Sequence, residues 1–344
     1  MMPNSSPPGP PLPPVPPSAA PPAPAFGLPE TIALAQRLRE QVQRAIVGQE
    51  DVVENVLATF LAGGHALLEG VPGVGKTLLV LALSRAFGGK FARLQFTPDM
   101  MPADVVGHTI YDARTGELRL RRGPAFTHLL LADEINRAPA KTQAALLEVM
   151  QEQQITIDGS SYKLPPPFMT LATQNPVEHE GTYPLPEAQL DRFLLKIVID
   201  YPDSAQELEL VRRVTAGQIG DKLDVSTVAQ VATPEMMVAA QQQVATMTVD
   251  ERVIDYAVRI VRATRTWPGL RVGVGPRGAI ALVRVARAVA VLAGRDYVIP
   301  DDVKRVAVPA LAHRVNLSPE LEIEGLRASR VLQDILERTE APRG

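Results

Sequence analysis

The stretch Gly70-Val71-Pro72-Gly73-Val74-Gly75-Lys76-Thr77 decides the fold of this chain. One apolar run, residues 65–68, precedes it, and a second apolar run begins at Leu78. Strand, glycine-rich turn and helix, in that order, form the context in which the pattern G-x-x-x-x-G-K-[ST] holds phosphate. Backbone N–H groups and the positive end of the helix surround the phosphate oxygens, Lys76 reaches the outer phosphates, and Thr77 is suited to ligate Mg²⁺. The stretch therefore predicts a nucleotide-phosphate site.

The composition limits the class of protein. The chain has 344 residues, of which 46% are hydrophobic, and at about 150 residues per domain this length predicts two domains. The formal net charge of −3 gives no long-range attraction to nucleic acid or to an anionic membrane. The absence of cysteine excludes disulfides, thiolate metal sites and cysteine nucleophiles. No apolar run approaches the ~18 residues of a membrane span, and prolines stand where a signal peptide would be apolar, so we expect a cytoplasmic protein.

Composition also divides the chain into segments. Residues 1–28 are mostly Pro, Ala and Ser, which predicts a disordered tail rich in polyproline II, with a proline-motif ligand as the alternative. Residues 29–202 alternate strand and helix patterns, which predicts an α/β nucleotide-binding core with a parallel sheet between helical layers. Residues 203–344 read as helical throughout and predict a second, all-α domain.

Two carboxylates follow a buried strand. The apolar run 128–132 ends directly in Asp133 and Glu134. Strands that are apolar throughout belong to parallel sheets covered on both faces, and ligands bind at their carboxyl ends. Asp133 is then placed to hold Mg²⁺ through its water shell, and Glu134 to polarise an attacking water. An acidic turn after a strand is the alternative, which the upstream phosphate loop disfavours. A kinase has no need of the second carboxylate at this place, whereas a hydrolase does.

Two further polar residues stand near predicted strand ends. Asn175 follows the apolar strand 168–173, where its amide can orient water against a γ-phosphate; an asparagine that caps a turn before proline is the alternative. Arg192 lies between a short predicted helix and the strand 194–199. It is either a surface ion-pair partner or a finger that stabilises transition-state charge on a neighbouring subunit's nucleotide.

Two β-hairpins are predicted within the core. The first spans about residues 104–123 around a Thr-Gly turn, and the second spans residues 155–164 around an Asp-Gly turn. The first carries Arg119, Arg121 and Arg122. Such a cluster is either a solvated strand face or a grip for a partner or a nucleic-acid backbone, and the solvated face is the more frequent case.

The second domain shows helical patterns with one unusual arginine. A helix is predicted from about 276 to 293, with Gly294 as its stop, and another from Pro300 to about Arg314. Arg277 lies in the first turn of the former, where the helix dipole disfavours a cation, so another reason must place it there. Residues 320–338 are expected to be helical. The buried stripe predicted for the preceding helix is Val253, Tyr256, Ala257, Ile260, Val261 and Thr264.

The order of these motifs resembles an AAA+ ATPase. More narrowly, the chain resembles the MoxR family within the helix-2-insert clade. The segments that carry this resemblance are residues 94–99, 132–139, 172–176 and 181–193, and the resemblance as a whole covers about residues 30–340. It implies ATP and Mg²⁺ as cofactors and hairpins that face the pore of a ring. The proline tail is the one clear addition to the family pattern.

The resemblance also implies roles for individual residues. Lys76 with Thr77 corresponds to Walker A, Asp133 with Glu134 to Walker B, and Asn175 to sensor 1. Arg192 corresponds to the arginine finger, and Arg277 to sensor 2, reaching from a helical lid toward the γ-phosphate. The resemblance implies that Val47 and Gly48 contact the adenine, largely through backbone, and that Thr77 and Asp133 bind the metal. The implied nucleotide-binding residues are Val47, Gly48, Gly70, Pro72, Gly73, Val74, Gly75, Lys76, Thr77, Leu78 and Asp133.

Three functional hypotheses follow. The first is an ATP-hydrolysing hexameric ring that remodels a protein client, and for it the resemblance implies a partner with a von Willebrand factor A domain and a chaperone-like task such as enzyme maturation or metal insertion. The second is an ATP-gated assembly scaffold, which intact Glu134 and Asn175 disfavour. The third is a DNA-dependent motor, which the near-neutral charge and the lack of an appended DNA-binding module disfavour. The sequence names neither client nor partner.

Overall fold

A computed structural model of the chain describes residues 26–71, 73–175, 182–215 and 224–342. The predicted tail therefore lies almost wholly outside the described residues, and so does Pro72 of the phosphate loop. The segments described account for the phosphate loop on both sides of Pro72, for every other predicted site residue and for both predicted domains.

The strands of the N-terminal part are short and arise where apolar residues run together or alternate. They are β1 (Ala66–Glu69), β2 (Phe91–Gln95), β3 (Gly107–Asp112), β4 (Glu117–Arg122), β5 (Leu129–Asp133), β6 (Gln154–Ile157), β7 (Ser160–Lys163), β8 (Met169–Gln174) and β9 (Leu195–Val198). The helices of the same part are α1 (Leu28–Ala45), α2 (Glu50–Leu61), α3 (Lys76–Phe87), α4 (Pro102–Val106), α5 (Ala140–Glu152) and α6 (Glu187–Leu190), with a 3₁₀ turn at Ile135–Arg137.

Five of these strands form one parallel sheet in the order β2-β5-β8-β1-β9. Successive residues of β5 enter different cores: Leu129 and Leu131 join one hydrophobic cluster, whereas Leu130 and Ala132 join the other. A strand that is apolar on both faces needs a layer of helices on each side. The predicted αβα sandwich with a parallel sheet is thereby confirmed.

The two predicted hairpins are present, with one correction. β3 pairs with β4 and β6 with β7, both antiparallel. Residues 104–106, expected to begin the first hairpin, instead end the short helix α4. Pro102 at its first position has the φ that a helix needs, and the Asp104 carboxylate accepts a hydrogen bond of 2.8 Å from the Met101 N–H.

Among residues 204–215 and 224–342, the C-terminal part is helical apart from one small antiparallel pair of strands. Its elements are α7 (Ser204–Thr215), α8 (Pro234–Thr246), α9 (Glu251–Thr266), β10 (Leu270–Val272), α10 (Pro276–Leu292), α11 (Pro300–Leu311), a 3₁₀ turn at Ala312–Arg314, β11 (Asn316–Leu317), α12 (Pro319–Ile323) and α13 (Ala328–Arg338). None of the helices in the described part of the chain has both the length and the apolar character that a bilayer crossing requires.

Sequence periodicity predicted the long helices of this part, but it missed the antiparallel strands β10 and β11 and the turn between α12 and α13. The six residues expected on the buried face of α9 are all buried there. The continuous helix expected over residues 320–338 is wrong, because the chain turns between α12 and α13. Gly325 stands in that turn with φ of 76°, a left-handed conformation that glycine adopts without strain.

The helical part packs directly on the sheet and on the first two helices. One hydrophobic cluster runs from α1 and α2 through one face of the sheet to α10 and α11. Helix α11 also lies against the edge strand β9. Because the core is continuous, the domain boundaries at 28/29 and 202/203 remain predictions from sequence.

Candidate active site

The phosphate loop joins β1 to α3, and its glycines serve different purposes. Gly73 and Gly75 have φ of 87° and 82°, and a Cβ atom at either would meet nothing within 4 Å, so their backbone conformation is what demands glycine. At Gly70 a Cβ would lie 2.5 Å from the carbonyl oxygen of Ile199, so close packing demands glycine there. The loop therefore exposes backbone toward an open space before the first turn of α3.

That space is a cavity of about 440 Å³ at the carboxyl edge of the sheet. It brings together the predicted residues of the phosphate loop, both carboxylates and the asparagine, which come from the ends of β1, β5 and β8. The described residues that line it are Gly70, Gly73, Gly75, Lys76, Thr77, Leu78, Arg93, Gln95, Asp133, Glu134, Thr173 and Asn175. Val74 is buried beneath the loop instead of lining the cavity.

Lys76 folds back onto its own loop. Its Nζ donates a hydrogen bond to the carbonyl oxygen of Gly70. Partial burial lowers the pKa of Lys76, and the carboxylates of Asp133, Glu134 and Glu69 act in the opposite direction. Anionic phosphate oxygens in the cavity would favour the charged form of the ammonium further.

Asp133 and Glu134 are each held by a side chain from the neighbouring strand β2. Oδ2 of Asp133 accepts hydrogen bonds from Arg93, at 2.7 Å from Nη2 and 3.2 Å from Nε. Oε2 of Glu134 accepts one of 2.7 Å from Nε2 of Gln95. The Thr173 hydroxyl donates to Oδ1 of Asp133 at 2.6 Å and accepts from the Glu134 N–H at 2.8 Å. This network fixes the orientation of both carboxylates.

Arg93, Gln95 and Thr173 were missed by the reading of the sequence. Arg93 and Gln95 are two residues apart on β2, so both point to one face, and Gln95 lies opposite Asp133 in the pairing of β2 with β5. Polar residues at alternate positions of a strand that enters the sheet beside the carboxylates were the available signal. To interpret that signal one must know that β2 pairs with β5, and no local sequence pattern predicts this strand order.

Val47 and Gly48 lie beside the phosphate loop but are not among the described residues that line the cavity. The side chain of the next residue, Gln49, donates a hydrogen bond of 3.2 Å to the carbonyl oxygen of Val74, which ties this segment to the loop. Gly48 has φ of 65°, and a Cβ there would lie 2.4 Å from Cδ of Gln206 on α7. The segment is thus enclosed between the loop and the start of the helical part.

The two predicted arginines are not at this cavity. Arg192 and Arg277 line a second cavity, of about 460 Å³, with residues that precede β1 and β9, among them Gly64 and Leu194. Residues before parallel strands lie at the amino edge of the sheet, and strands of four to six residues separate the edges by roughly 13–20 Å. The role of Arg277 as a sensor 2 that reaches a γ-phosphate stays a prediction, and in this structure its side chain does not line the phosphate-loop cavity of its own chain.

Local contacts explain where these arginines lie. Arg277, whose side chain is 65% exposed, has its Nη1 3.2 Å from Oδ2 of Asp191. Nη1 of Arg192 donates a hydrogen bond of 2.8 Å to the carbonyl oxygen of Leu147. The start of α10 and the segment before β9 thus meet at one carboxylate, and two cations face away from the phosphate loop of the same chain.

The basic hairpin is partly neutralised by its own residues. Arg119 pairs with Asp112 at 3.2 Å and with Glu117 at 3.6 Å. The opposed pair Tyr111 and Leu118 is 66% and 73% exposed, so the hairpin presents an apolar pair near its tip as well as charge. The hairpin therefore combines an exposed apolar pair with charged side chains on one surface.

The fold and the cavity together define an AAA+ ATPase: a phosphate loop and two strand-end carboxylates on a parallel sheet, followed by a helical lid. The model of the "ATPase family associated with various cellular activities (AAA)" matches residues 65–195, and that of the "AAA lid domain" matches residues 262–335.

Whole-chain relatives narrow the class. The chain is 42% identical over 334 residues to Chaperone MoxR1 of Mycobacterium tuberculosis (94% of this chain, 86% of the relative). It is 32% identical over 323 residues to Protein MoxR of Methylorubrum extorquens (88% and 92%) and 46% identical over 303 residues to the uncharacterised protein YeaC of Bacillus subtilis (88% and 93%). A solved structure of a candidate ATPase from Cytophaga hutchinsonii superposes with a TM-score of 0.83 at 40% identity (91% and 96%). The chain belongs to the MoxR family of AAA+ ATPases and hydrolyses ATP.

Proposed function

We propose that the chain is the subunit of a Mg²⁺-dependent ATPase ring, hexameric by its resemblance to the family, that remodels a protein client. One observation carries the proposal. The phosphate loop with its carboxylates and the pair Arg192 and Arg277 lie at opposite edges of one sheet. Each chain therefore offers two half-sites, and a head-to-tail ring joins the acceptor half of one copy to the arginine half of the next.

The acceptor half supplies the binding and the base. Loop N–H groups and Lys76 bind the phosphates of ATP, and Glu134, oriented through Gln95, accepts a proton from the attacking water. Asn175 orients that water. The products are ADP and phosphate.

The residues present fit a magnesium ion. Thr77 and Asp133 line the same cavity, and a hydroxyl with a carboxylate is an oxygen donor set that Mg²⁺ accepts. No cluster of three or more His, Asp or Glu side chains suited to a metal occurs among residues 26–71, 73–175, 182–215 and 224–342. Most ligands would then be phosphate and water, which is the usual situation for Mg²⁺. The ion would neutralise charge that develops on the phosphate oxygens.

The arginine half supplies cations in trans. Arg192 and Arg277 of the neighbouring copy stabilise negative charge on the transferring phosphoryl group. Loss of such an arginine costs nucleotide hydrolases on the order of 10³–10⁵ in rate. Hydrolysis therefore waits for assembly.

The client side of the proposal is supported by resemblance and by one surface. A relative named as a chaperone supports a chaperone-like task. The family resemblance adds a partner with a von Willebrand factor A domain and, as forms of the task, maturation of an enzyme or insertion of its metal. The exposed hairpin with Tyr111 and Leu118 is a surface suited to such protein contacts.

A mixing experiment tests the proposal. Arg192→Ala has a normal acceptor half and Glu134→Gln a normal arginine half, so each alone should be inactive. In a random 1:1 mixture roughly a quarter of heterologous interfaces pair the two good halves, and ATPase activity should reappear to about that extent. If Arg192→Ala alone hydrolyses ATP at the wild-type rate, or if the mixture stays inactive while both variants assemble, the trans arrangement is refuted.

A further inference from the structure

The segment that bears Arg192 is fastened to the lid by one buried arginine, Arg314. Its side chain is only 5% exposed. Nε donates a hydrogen bond of 2.8 Å to Oδ1 of Asp191, and Nη2 donates one of 2.8 Å to the carbonyl oxygen of Phe193. Nη1 lies 3.3 Å from the carbonyl oxygen of Leu194. The guanidinium thus grips the residues on both sides of Arg192.

The residue before it reinforces the same grip. Nε2 of His313 lies 3.0 Å from the carbonyl oxygen of Phe193, and because a carbonyl only accepts, the imidazole must donate. Burial holds the pKa of His313 well below its usual value, so the ring stays neutral. Two donors from the turn Ala312–Arg314 therefore converge on one carbonyl beside Arg192.

The charge arrangement links this grip to the second arginine. Asp191 gives Oδ1 to Arg314 and leaves Oδ2 to Arg277, at 2.8 Å and 3.2 Å. Burial lowers the pKa of Arg314, and the Asp191 carboxylate opposes that shift. One carboxylate thus orders a buried guanidinium on one side and an exposed guanidinium on the other.

A buried ion pair is weak evidence for added stability, because removing two charges from water costs about as much as their attraction returns. What the planar guanidinium provides is direction, since its donors form a rigid fork. Here the fork fixes a backbone segment that ends in the sheet relative to a turn of the lid. The contact connects the segment that bears Arg192 with the start of α10, which bears Arg277.

We propose that Arg314 is a positioning residue for hydrolysis in the neighbouring subunit. It holds the 191–194 segment and, through Asp191, the start of α10 in one rigid arrangement, so that Arg192 and Arg277 are presented together to the neighbour's nucleotide. Arg314 itself touches no phosphate. This inference rests on the proposed trans arrangement.

The test uses Arg314→Gln in the full chain, with Arg305→Gln as the matched control. Arg305 lies on α11, the helix that leads into the same turn, but pairs with Asp51 and Glu54 on α2. A misplacement of about 1 Å can cost on the order of 10²-fold in rate. We expect Arg314→Gln alone to lose about 10- to 100-fold in kcat with the KM for ATP within about twofold of wild type, and Arg305→Gln to behave as wild type.

Mixing separates positioning from general damage. A mixture of Arg314→Gln with Glu134→Gln should recover ATPase activity, because Glu134→Gln supplies an intact arginine half. A mixture of Arg314→Gln with Arg192→Ala should not, because neither variant supplies one. A wild-type kcat for Arg314→Gln alone, or recovery with Arg192→Ala, overturns the inference. So does failure to recover with Glu134→Gln while ATP binding is normal.

Two further arms keep the test decisive. If Arg314→Gln does not fold, Arg314→Lys keeps the charge and loses the fork, and the same mixing pattern is required of it. The mixture of Arg192→Ala with Glu134→Gln is measured in parallel. If this mixture has no ATPase activity, the trans arrangement itself is refuted. If it is active and the Arg314 variant alone has a wild-type kcat, only the role of Arg314 is refuted.

Discussion

At the scale of single residues, Asp133 and Glu134 differ in what must happen to them before catalysis. The Gln95 amide donates a hydrogen bond of 2.7 Å to the Glu134 carboxylate, and the only cation paired with that carboxylate among the described residues, Arg137, lies farther away at 3.5 Å. Asp133 is already paired with Arg93, a cation that occupies one of its oxygens. A divalent ion would therefore compete with this guanidinium for the same carboxylate.

Glu134→Gln should bind ATP and hydrolyse it on the order of 10²–10⁴-fold more slowly, since a positioned general base contributes about that much. The amide keeps the size of the side chain and cannot take the proton. Equilibrium binding of a fluorescent ATP analogue and phosphate release measure the two properties. Undiminished turnover would remove Glu134 from its role as the base.

Arg93→Ala should lower the Mg²⁺ concentration that half-saturates hydrolysis. The Arg93 side chain is half exposed, so the pair contributes up to about 1 kcal/mol, which corresponds to a shift of no more than about fivefold. A titration of ATPase activity with Mg²⁺ checks this, and Arg93→Lys, which keeps a cation, is the control. An unchanged or higher requirement would show that Arg93 does not compete for Asp133.

Sequence patterns found those residues whose chemistry is local. Lys76 and Thr77 belong to one contiguous motif, and Asp133 ends an apolar strand, so neither needed knowledge of the fold. Arg93 and Thr173 escaped because each acts across a strand pairing, and which strands pair is decided by the whole chain.

At the scale of elements, His65 joins three of them at the start of β1. Its Nδ1 accepts a hydrogen bond of 3.0 Å from the Thr170 N–H on β8, so Nε2, 3.0 Å away from the Met150 carbonyl of α5, is the donor. Burial lowers the pKa of His65 to about 4, and the charge of Arg284 acts in the same direction. The folded protein holds the imidazole in its neutral form, so protonation at low pH disfavours the folded state.

The free energy of unfolding should fall as the pH drops from about 6.5 toward 4. Between pH 6.5 and pH 4 the histidine is protonated in the unfolded chain, where its pKa is near 6.5, and stays neutral in the folded protein. This difference lowers the free energy of unfolding by about 2 kcal/mol at pH 5. Urea unfolding of wild type and His65→Gln at pH 7.5 and pH 5 isolates this part, because other groups titrate alike in both. An equal loss of stability in the two proteins would contradict it.

Periodicity predicted the long elements and failed at short ones. The stripe of α9 follows from spacing alone, since an apolar face of a sixteen-residue helix recurs several times. α4 has five residues, too few for a period to appear, and Pro102 with Asp104 was the only local signal. Gly325 separates the five-residue helix α12, which has no buried residue, from α13, which buries Val331, Leu332 and Ile335.

At the scale of the whole molecule, the phosphate-loop cavity and the two arginines lie at opposite edges of one sheet. The family resemblance implied a ring and an arginine finger, but not that Arg277 and Arg192 line the same cavity. That placement depends on how the lid docks, through long-range contacts such as Asp191 with Arg314, which are 123 residues apart. No local pattern encodes such a contact.

Specific ATPase activity should therefore fall when the protein is diluted. If hydrolysis needs the arginine half of a neighbour, activity per chain follows the assembled fraction by mass action. Parallel measurements of activity and of sedimentation over a dilution series check this. Constant activity per chain across a range in which the assembly dissociates would contradict the trans arrangement.

The hydrophobic cluster shared by α1, α2, one sheet face and α10 has a mechanical consequence. A lid joined by a flexible hinge can rotate while the rest of the subunit stays in place. Here such a rotation would expose the hydrophobic core that the lid shares with the sheet. In the proposed ring we therefore expect each subunit to move as one rigid body during ATP hydrolysis, with the conformational change located at the interfaces between subunits.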